Sequence, residues 1–361
     1  MNTAIVVGAG IGGVTAAVAL QQCGWQVTVL ERAPELGEVG AGISVWPSAV
    51  AVLEQLGVKG VEKASAVSAP ASMRRPDGRV IVAAADLGVE VPVMIHRAQL
   101  HDLITAEFGP AITVRTGYQV RTISQDDAGV TINDELRADL VVAADGIRSV
   151  IRSALVPAYE GPRYSGYTAY RGIAEVATTD GGGETWGKGE RFGFARLIDG
   201  RIYWYATANQ PAGQSSGPDA FSDWHDPIPA LLAATKDVLQ NDIYDLSVPL
   251  VPFTHGRIVL LGDAAHAMTP NLGRGACTAI EDAGALARCL EEGPDLSAAL
   301  TRYDAERRPA ATKLVKRSRS IGRVGQVENP VIRAIRDGLF GFGGKLMSLR
   351  RPKAQVKQSR A

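Results

Sequence analysis

A glycine-rich loop near the start of the chain restricts the fold more than any other feature of the sequence. Residues 8–13 read G-A-G-I-G-G and directly follow the apolar run 4–7, which is typical of a buried parallel strand. An Ala-rich stretch over 14–20 predicts a helix, and a second apolar run, 27–30, ends at Glu31. This succession of strand, glycine loop, helix, strand and acid predicts a Rossmann-like nucleotide-binding unit of an α/β protein.

Each glycine of the loop has its own physical task in such a unit. Gly8 permits the tight turn, Gly10 lets the backbone approach a pyrophosphate, and Gly13 lets the helix pack closely on the strand. The unpaired N–H groups at the start of the helix favour a phosphate, and the carboxylate of Glu31 can accept hydrogen bonds from a ribose. These residues and Gly12 are candidate cofactor ligands. The unit alone does not distinguish FAD from NAD.

Two later strand ends decide between the cofactors. Residues 140–146 have the pattern of a buried strand that ends in an Asp-Gly pair, and a predicted helix follows. Residues 258–263 have the same pattern and end in a Gly-Asp pair. A glycine-rich loop over 273–277 and a long predicted helix to about residue 290 come next. A nicotinamide dehydrogenase has no use for this third segment, so the three motifs favour FAD.

The three motifs in this order make the chain resemble the class A FAD-dependent aromatic monooxygenases, the fold family of p-hydroxybenzoate hydroxylase. The resemblance covers residues 1 to about 320 and is strongest to short members of the urate hydroxylase and salicylate hydroxylase kind. It implies an α/β fold with a Rossmann-like FAD-binding domain, an inserted and mostly antiparallel β-sheet substrate domain, and C-terminal helices. The corresponding segments are 1–70, 96–157 and 250–320 for the FAD-binding domain, 71–95 and 158–249 for the substrate domain, and 321–361 for a C-terminal helix and basic tail.

Strand patterns in the inserted region agree with this fold. Residues 73–75 and 80–82 flank P-D-G-R, which is a hairpin signal. Residues 164–176, 191–197 and 201–208 have the patterns of neighbouring antiparallel strands, the last two joined by an Asp-Gly turn. In the family that the chain resembles, such a sheet covers the substrate cavity over the flavin.

The resemblance also implies a set of FAD ligands that is spread over the whole domain. Backbone N–H groups at the start of the helix after residue 273 would stabilise negative charge on the reduced ring. The Asp-Gly site would serve both FAD and a transient NADH or NADPH. The implied ligands are Glu31, Arg32 and Val120 on the adenosine side, Arg97 on the flavin side, Asp145 and Arg148 at the Asp-Gly site, Asp263 at the ribityl or pyrophosphate group, and Gly273, Arg274, Gly275, Ala276 and Cys277 along the isoalloxazine.

Three residues are the leading candidates for the substrate side. Arg171 matches an active-site arginine of the urate hydroxylases and would bind an anionic or carbonyl-bearing substrate, with a sheet-surface ion pair as the equally open alternative. Tyr203 lies on a strand that should line the cavity, with core packing as its alternative. Asn271 stands where the urate hydroxylases carry an aspartate, and an amide cannot act as a base, so urate is disfavoured as substrate. Further candidates for the cavity are Tyr170, Phe194 and Tyr205.

The resemblance implies a reaction as well. NADH or NADPH would reduce the FAD, O2 would give a flavin C4a-hydroperoxide, and one oxygen atom would pass to an aromatic or heteroaromatic small molecule. Two alternatives use the same scaffold: an FAD-dependent epoxidase, oxidase or reductase, and a protein that uses FAD without redox chemistry to shape a cyclisation cavity. The substrate, the choice between NADH and NADPH and the oligomeric state stay open.

Composition limits the partners and the compartment. Lys plus Arg and Asp plus Glu are 38 each, so the net charge is zero and gives no electrostatic reason to expect nucleic-acid binding. The three cysteines have neither metal-ligand spacing nor an even count, which favours a reducing compartment and predicts no metal site. Residues 1–30 are uncharged but lack the Lys or Arg of a signal peptide. We therefore expect a cytoplasmic protein without membrane contact.

The C-terminal segment is strongly basic. Residues 312–361 contain 13 Lys or Arg and only Glu328 and Asp337 as acids. A basic amphipathic segment at a membrane surface is one interpretation. The preferred prediction is a final helix that packs on the FAD-binding domain, followed by a solvated basic tail.

Overall fold

The computed structural model describes residues 2–37, 41–67, 72–83, 91–176 and 182–349, without the side chains of 67 and 345–349. The strands are β1 (Thr3–Val7), β2 (Gln26–Leu30), β3 (Gly42–Val45), β4 (Ala66–Val67), β5 (Ser72–Arg74), β6 (Val80–Val82), β7 (Val93–His96), β8 (Ile112–Arg115), β9 (Ile123–Asp126), β10 (Gly129–Ile132), β11 (Leu136–Ala138), β12 (Leu140–Ala143), β13 (Pro162–Ala174), β14 (Gly182–Trp186), β15 (Glu190–Arg196), β16 (Ile202–Asn209), β17 (Thr235–Leu246), β18 (Thr254–His255) and β19 (Ile258–Leu260). The α-helices are α1 (Ile11–Gln22), α2 (Pro47–Gln55), α3 (Arg97–Thr105), α4 (Val150–Leu155), α5 (Ile228–Ala233), α6 (Asp263–His266), α7 (Gly275–Glu292), α8 (Leu296–Gly325) and α9 (Pro330–Leu349).

A six-stranded sheet confirms the predicted Rossmann-like unit. Its order is β18-β19-β12-β1-β2-β8, and all neighbours are parallel except β18 and β19. The strands read as continuous apolar runs because helices cover the sheet and leave residues such as Val6 and Val29 with no solvent exposure. The three predicted motifs follow β1, β12 and β19, which are adjacent in this sheet. They therefore meet at one edge, at the carboxyl ends of the strands.

Close backbone packing explains two glycines of the first motif. Gly8 has a φ of 97°, which favours glycine, and a Cβ there would overlap the carbonyl oxygen of Ala144. A Cβ on Gly13 would overlap the carbonyl oxygen of Gly8. The missing side chain at Gly13 lets the helix α1 lie this close to the end of β1, and the missing side chain at Gly8 lets the segment after β12 approach the same loop.

A seven-stranded sheet makes up most of the inserted region. Its order is β17-β13-β16-β15-β14-β5-β6, and its neighbours are antiparallel except the parallel pair β14 and β5. The predicted hairpin and the three predicted long strands are confirmed as β5, β6, β13, β15 and β16. One face of this sheet is covered by an apolar cluster that includes Trp204, Phe192 and Leu231 of α5. Because side chains alternate along a strand, the opposite face carries a different set of residues, and these line a cavity.

The predicted division into domains stays a prediction. The strand β7 (Val93–His96) crosses the predicted boundary between residues 95 and 96. β7 pairs with β3 and β4 in a three-stranded antiparallel sheet. The side chain of Met94 on this strand packs with Tyr203 and Leu197 of the seven-stranded region. This strand therefore connects the two parts.

The C-terminal helices differ from the expectation in where they pack. α9 was expected to lie on the FAD-binding domain, and this is wrong: its contacts include β6, and its Phe340 ring lies 5.6 Å from that of Trp186 on β14. Asp337 forms an ion pair of 2.8 Å with Arg75 of the β5–β6 hairpin. The direction of a helix after a turn is set by tertiary contacts, which the local pattern does not contain. The predicted basic tail lies largely beyond residue 349, outside the described residues. Among the described helices, none has the length and apolarity needed to cross a bilayer.

Candidate active site

A cavity of about 1450 Å³ lies between the motif loops and the seven-stranded sheet. The loop wall includes residues 10–13, Asp263 and residues 268–276. The sheet wall is made by side chains of β13 to β17, among them Arg171 and Tyr203. A small-molecule pocket commonly has about 300–1,000 Å³, so this space is large enough for a cofactor and a second molecule beside it.

Two helix starts on the loop wall fit the charged parts of FAD. α1 begins after Gly10 and α7 begins after Arg274, and neither of these cap residues forms a side-chain cap hydrogen bond. At Gly275, a Cβ would meet no heavy atom of the described chain within 4 Å. Both helix starts line the cavity, and their free N–H groups suit a pyrophosphate at α1 and an anionic ring edge at α7.

Asp145 offers a further sign of a ligand. Its Oδ2 accepts a hydrogen bond of 3.3 Å from the backbone N–H of Ile151, whereas its Oδ1 is buried and has no partner among the described residues. Burial raises the pKa of the Asp145 carboxyl. An unsatisfied buried polar atom costs about 1–3 kcal/mol, so a ligand that donates a hydrogen bond there would be stabilised. Arg148 points elsewhere, because its guanidinium lies 5.5 Å from the centre of the Tyr244 ring.

A buried charge cluster holds the third motif. Asp282 on α7 accepts hydrogen bonds from the backbone N–H of Gly262 (3.2 Å) and from Arg307 Nε (2.7 Å), and its Oδ2 lies 2.5 Å from His266 Nε2. Burial by itself lowers the pKa of His266, but the Asp282 carboxylate outweighs it and the net pKa is raised. The cluster anchors the turn from which Asp263 faces the cavity.

The remaining predicted FAD ligands divide into cavity-lining and structural positions. Glu31 accepts hydrogen bonds of 2.8 Å from the backbone N–H groups of Ala9 and Ala33, so it also holds the loop in place. The Cys277 thiol donates to the Ser44 carbonyl, and burial raises its pKa to about 11. Gly10, Gly12, Gly13, Arg97, Asp263, Gly273, Arg274, Gly275 and Ala276 line the cavity, while Gly8, Glu31, Arg32, Val120, Asp145, Arg148 and Cys277 do not. Their individual roles toward FAD stay predictions.

The structure brings Arg171 and Tyr203 together on the sheet wall. Arg171 Nη1 donates to Asn241 Oδ1 at 3.1 Å, and the described residues include no carboxylate within ion-pair distance of it. Burial raises the pKa of Tyr203, against the opposing effect of Arg171. The expectation for Tyr170 is wrong, since it lies in the apolar cluster on the other face of the sheet. Neighbours in a strand point to opposite faces, so Arg171 and Tyr170 cannot both face the cavity.

Asn271 is part of a hydrogen-bond network that the sequence did not predict. Its Oδ1 accepts from Arg191 Nη1 at 2.5 Å, and its Nδ2 lies 2.9 Å from Thr269 Oγ1 and 3.1 Å from Tyr167 Oη. Arg191 is buried and forms an ion pair with Glu184. The sequence pattern singled out neither of these charged residues. The available signal was Arg191 on a strand where it precedes alternating aromatic residues. Only the register of the strands shows that its side chain faces the cavity.

Comparison with known proteins places the chain in a family. A model of the FAD binding domain family matches residues 1–318. The chain is 39% identical over 379 residues to an aurachin C monooxygenase/isomerase of Stigmatella aurantiaca, with 99% of this chain and 97% of that protein covered. It is 32% identical over 341 residues to an FAD-dependent urate hydroxylase of Klebsiella pneumoniae, with 88% of each covered. The solved structure of K. pneumoniae HpxO with FAD and uric acid has a TM-score of 0.85 and 29% identity, over 96% of this chain and 95% of that chain.

The family and the geometry agree on the cofactor. The matched family is described as an FAD binding domain, and the HpxO structures of the same fold contain FAD. In this chain the two helix starts that line the cavity suit the phosphates and the ring of that molecule. The chain belongs to the FAD binding domain family and is an FAD-dependent monooxygenase.

Proposed function

We propose that this monooxygenase hydroxylates a planar aromatic or heteroaromatic molecule that is held against the sheet wall by an oxygen substituent directed at Arg171. When bound and reduced by NADH or NADPH, FAD would supply the oxygenation chemistry, and O2 would be the source of the transferred oxygen atom. The residues of the chain bind the substrate, orient it and exclude water. A substrate bound between the motif loops and the sheet would lie beside the cofactor site.

The observation that carries this proposal is a cation with a neutral partner. Arg171 faces the cavity from β13, and the hydrogen-bond partner that it has among the described residues is the neutral amide of Asn241. Leu239, Tyr203 and Tyr205 supply apolar surface on the same wall. An arginine on such a wall suits a ring that bears a carbonyl, phenolate or carboxylate oxygen, because charge-assisted hydrogen bonds are strong in a largely apolar pocket.

Two relatives act, by name, on ring molecules of this kind. One is the urate hydroxylase, and the other is the 3-amino-4-hydroxybenzoate 2-monooxygenase of Streptomyces cremeus, which is 32% identical over 342 residues. Both urate and the hydroxybenzoate are planar rings with oxygen substituents. Asn271 argues against urate as the substrate here, because its amide is no base and its oxygen already accepts from Arg191.

We expect the purified enzyme to carry FAD and to oxidise NADH or NADPH faster when a fitting ring molecule is added. O2 should be consumed, and the product should contain one more oxygen atom than the substrate. The test is a screen over phenols, salicylates, quinolones and aromatic polyketides, with reductant absorbance, an oxygen electrode and product mass spectrometry. A ring molecule that binds and stimulates reductant oxidation but is always recovered unchanged would contradict hydroxylation.

A second candidate is oxygenation followed by rearrangement of the product. It is favoured by the 39% identity, over 99% of this chain, to a relative that is named as both monooxygenase and isomerase. A hydroxylated and a rearranged product have the same mass. The NMR spectrum of the isolated product distinguishes the two.

Arg171→Met should weaken substrate binding and leave FAD bound. Loss of a hydrogen bond to a charged group costs about 1.5–3 kcal/mol, which is a roughly 10- to 150-fold increase in the substrate Kd. The Kd is measured from the change in flavin absorbance on titration. The control is Arg201→Met, which breaks an ion pair with Asp199 in the β15–β16 turn and should leave the Kd unchanged. An unchanged Kd in Arg171→Met would remove this residue from the site.

A further inference from the structure

The outer side of α9 carries a continuous apolar stripe. Val331, Ile332, Ile335, Leu339 and Phe342 are each between 52 and 70% exposed. At 3.6 residues per turn, their positions fall within roughly 100° of the helix circumference. Six of the eleven exposed large apolar side chains found in the described residues lie on this one helix. Contiguous exposed apolar surface of this kind marks an interaction site.

The fold turns this stripe outward. The opposite side of α9 is held by the ion pair of Asp337 with Arg75 and by the stacking of Arg336, 5.0 Å from the centre of the Trp186 ring. Phe340 packs on the same tryptophan. The helix is therefore fixed on the seven-stranded sheet by one side, and its apolar stripe faces away from the protein.

The positive charge of the C-terminal segment indicates which kind of partner the apolar stripe binds. Residues 338–361 contain six Lys or Arg and no Asp or Glu, in a protein whose net charge is zero. A second copy of this chain would bring two such segments together and repel. Anionic lipid headgroups would attract them, because Lys and Arg side chains near such a surface are drawn to its negative potential.

We propose that α9 docks the enzyme on the surface of an anionic bilayer, with the apolar stripe at the boundary between headgroups and acyl chains. An interfacial helix combines these features: an apolar face, a polar face that binds the protein, and adjacent basic residues. Phe340 and Trp186 also line the large cavity. Docking would therefore place this end of the cavity at the lipid surface. This departs from our expectation of no membrane contact, and it needs no spanning helix.

The test is sedimentation of the full-length, FAD-loaded enzyme with vesicles. We expect binding to vesicles of phosphatidylcholine with phosphatidylglycerol, little binding to pure phosphatidylcholine, and release at high salt. The double variant Leu339→Glu, Phe342→Glu should bind anionic vesicles at least about tenfold more weakly, because it puts two charges into the stripe. The control is Ile198→Glu, which changes an exposed apolar residue in the β15–β16 turn, away from α9, and should bind as wild type.

The FAD content and melting temperature of each variant establish that it is folded, and neither should change, since the altered side chains are exposed. Three results would overturn the proposal. These are failure of the wild type to sediment with anionic vesicles, equal binding by the double variant, and equal binding to neutral vesicles. A concentration-dependent dimer that the double variant abolishes, without vesicle binding by the wild type, would assign the stripe to a contact between copies instead.

Discussion

Asp282→Ala is expected to lower the free energy of unfolding by about 3–5 kcal/mol, because it removes the main anion that two buried cationic groups share. Asp282 and His266 have no solvent exposure, and Arg307 is nearly buried. Burial by itself raises the pKa of the Asp282 carboxyl, but His266 and Arg307 hold it below its ordinary value. Asp282 therefore stabilises both neighbours in their charged forms, and Arg307 has a further, longer ion pair of 3.4 Å with Glu281.

FAD content should fall with the same substitution. Asp282 also accepts the backbone hydrogen bond of Gly262, whose φ of 60° starts the turn that carries Asp263. Urea unfolding and the ratio of flavin to protein are the two measurements. The control is Glu306→Ala, which breaks an ion pair with Arg288 in which both side chains are at least 40% exposed, and which should cost about 0–1 kcal/mol. An equally small loss for Asp282→Ala would show that the cluster does not hold the third motif.

Gly13→Ala is expected to push α1 away from β1 and to disrupt the FAD site. A Cβ on Gly13 would overlap the carbonyl oxygen of Gly8, which belongs to the backbone and cannot rotate away as a side chain does. Overpacking of this kind costs about 1–3 kcal/mol or more. The displaced helix start would also lose its alignment with the phosphates. The FAD Kd should rise about tenfold or more, as measured by fluorescence titration of the apoprotein.

Gly338→Ala is the matched control for Gly13→Ala. A Cβ at this position of α9 meets no heavy atom of the described chain within 4 Å, and the backbone has no positive φ. The variant should keep the FAD Kd of the wild type and gain about 0.5–1 kcal/mol of stability from the helix. If Gly13→Ala also binds FAD as the wild type does, close packing of α1 on β1 is not what shapes the site.

The candidate substrate site could be predicted only in part. The strands that carry Arg171 and Tyr203 were visible in the sequence, because alternation along a strand is a local pattern. The network of Asn271 and Arg191 was not, since it joins residues that are 80 positions apart. Which face of the sheet holds the cavity depends on the register of β13, β15 and β16. The error on Tyr170 has the same origin, as one residue along the strand changes the face.

The sequence by itself determined the α/β nucleotide-binding unit, the three motifs and the choice of FAD. The signals for these lie within a few residues of one another: apolar runs, glycines that a tight turn requires, and helix starts that follow them. Only the tertiary structure decided that Asp282 anchors the turn before Asp263, that Arg191 reaches Asn271, and that α9 packs on the seven-stranded sheet with its apolar stripe outward. These outcomes depend on packing between distant segments, and many arrangements of such segments satisfy the same local pattern.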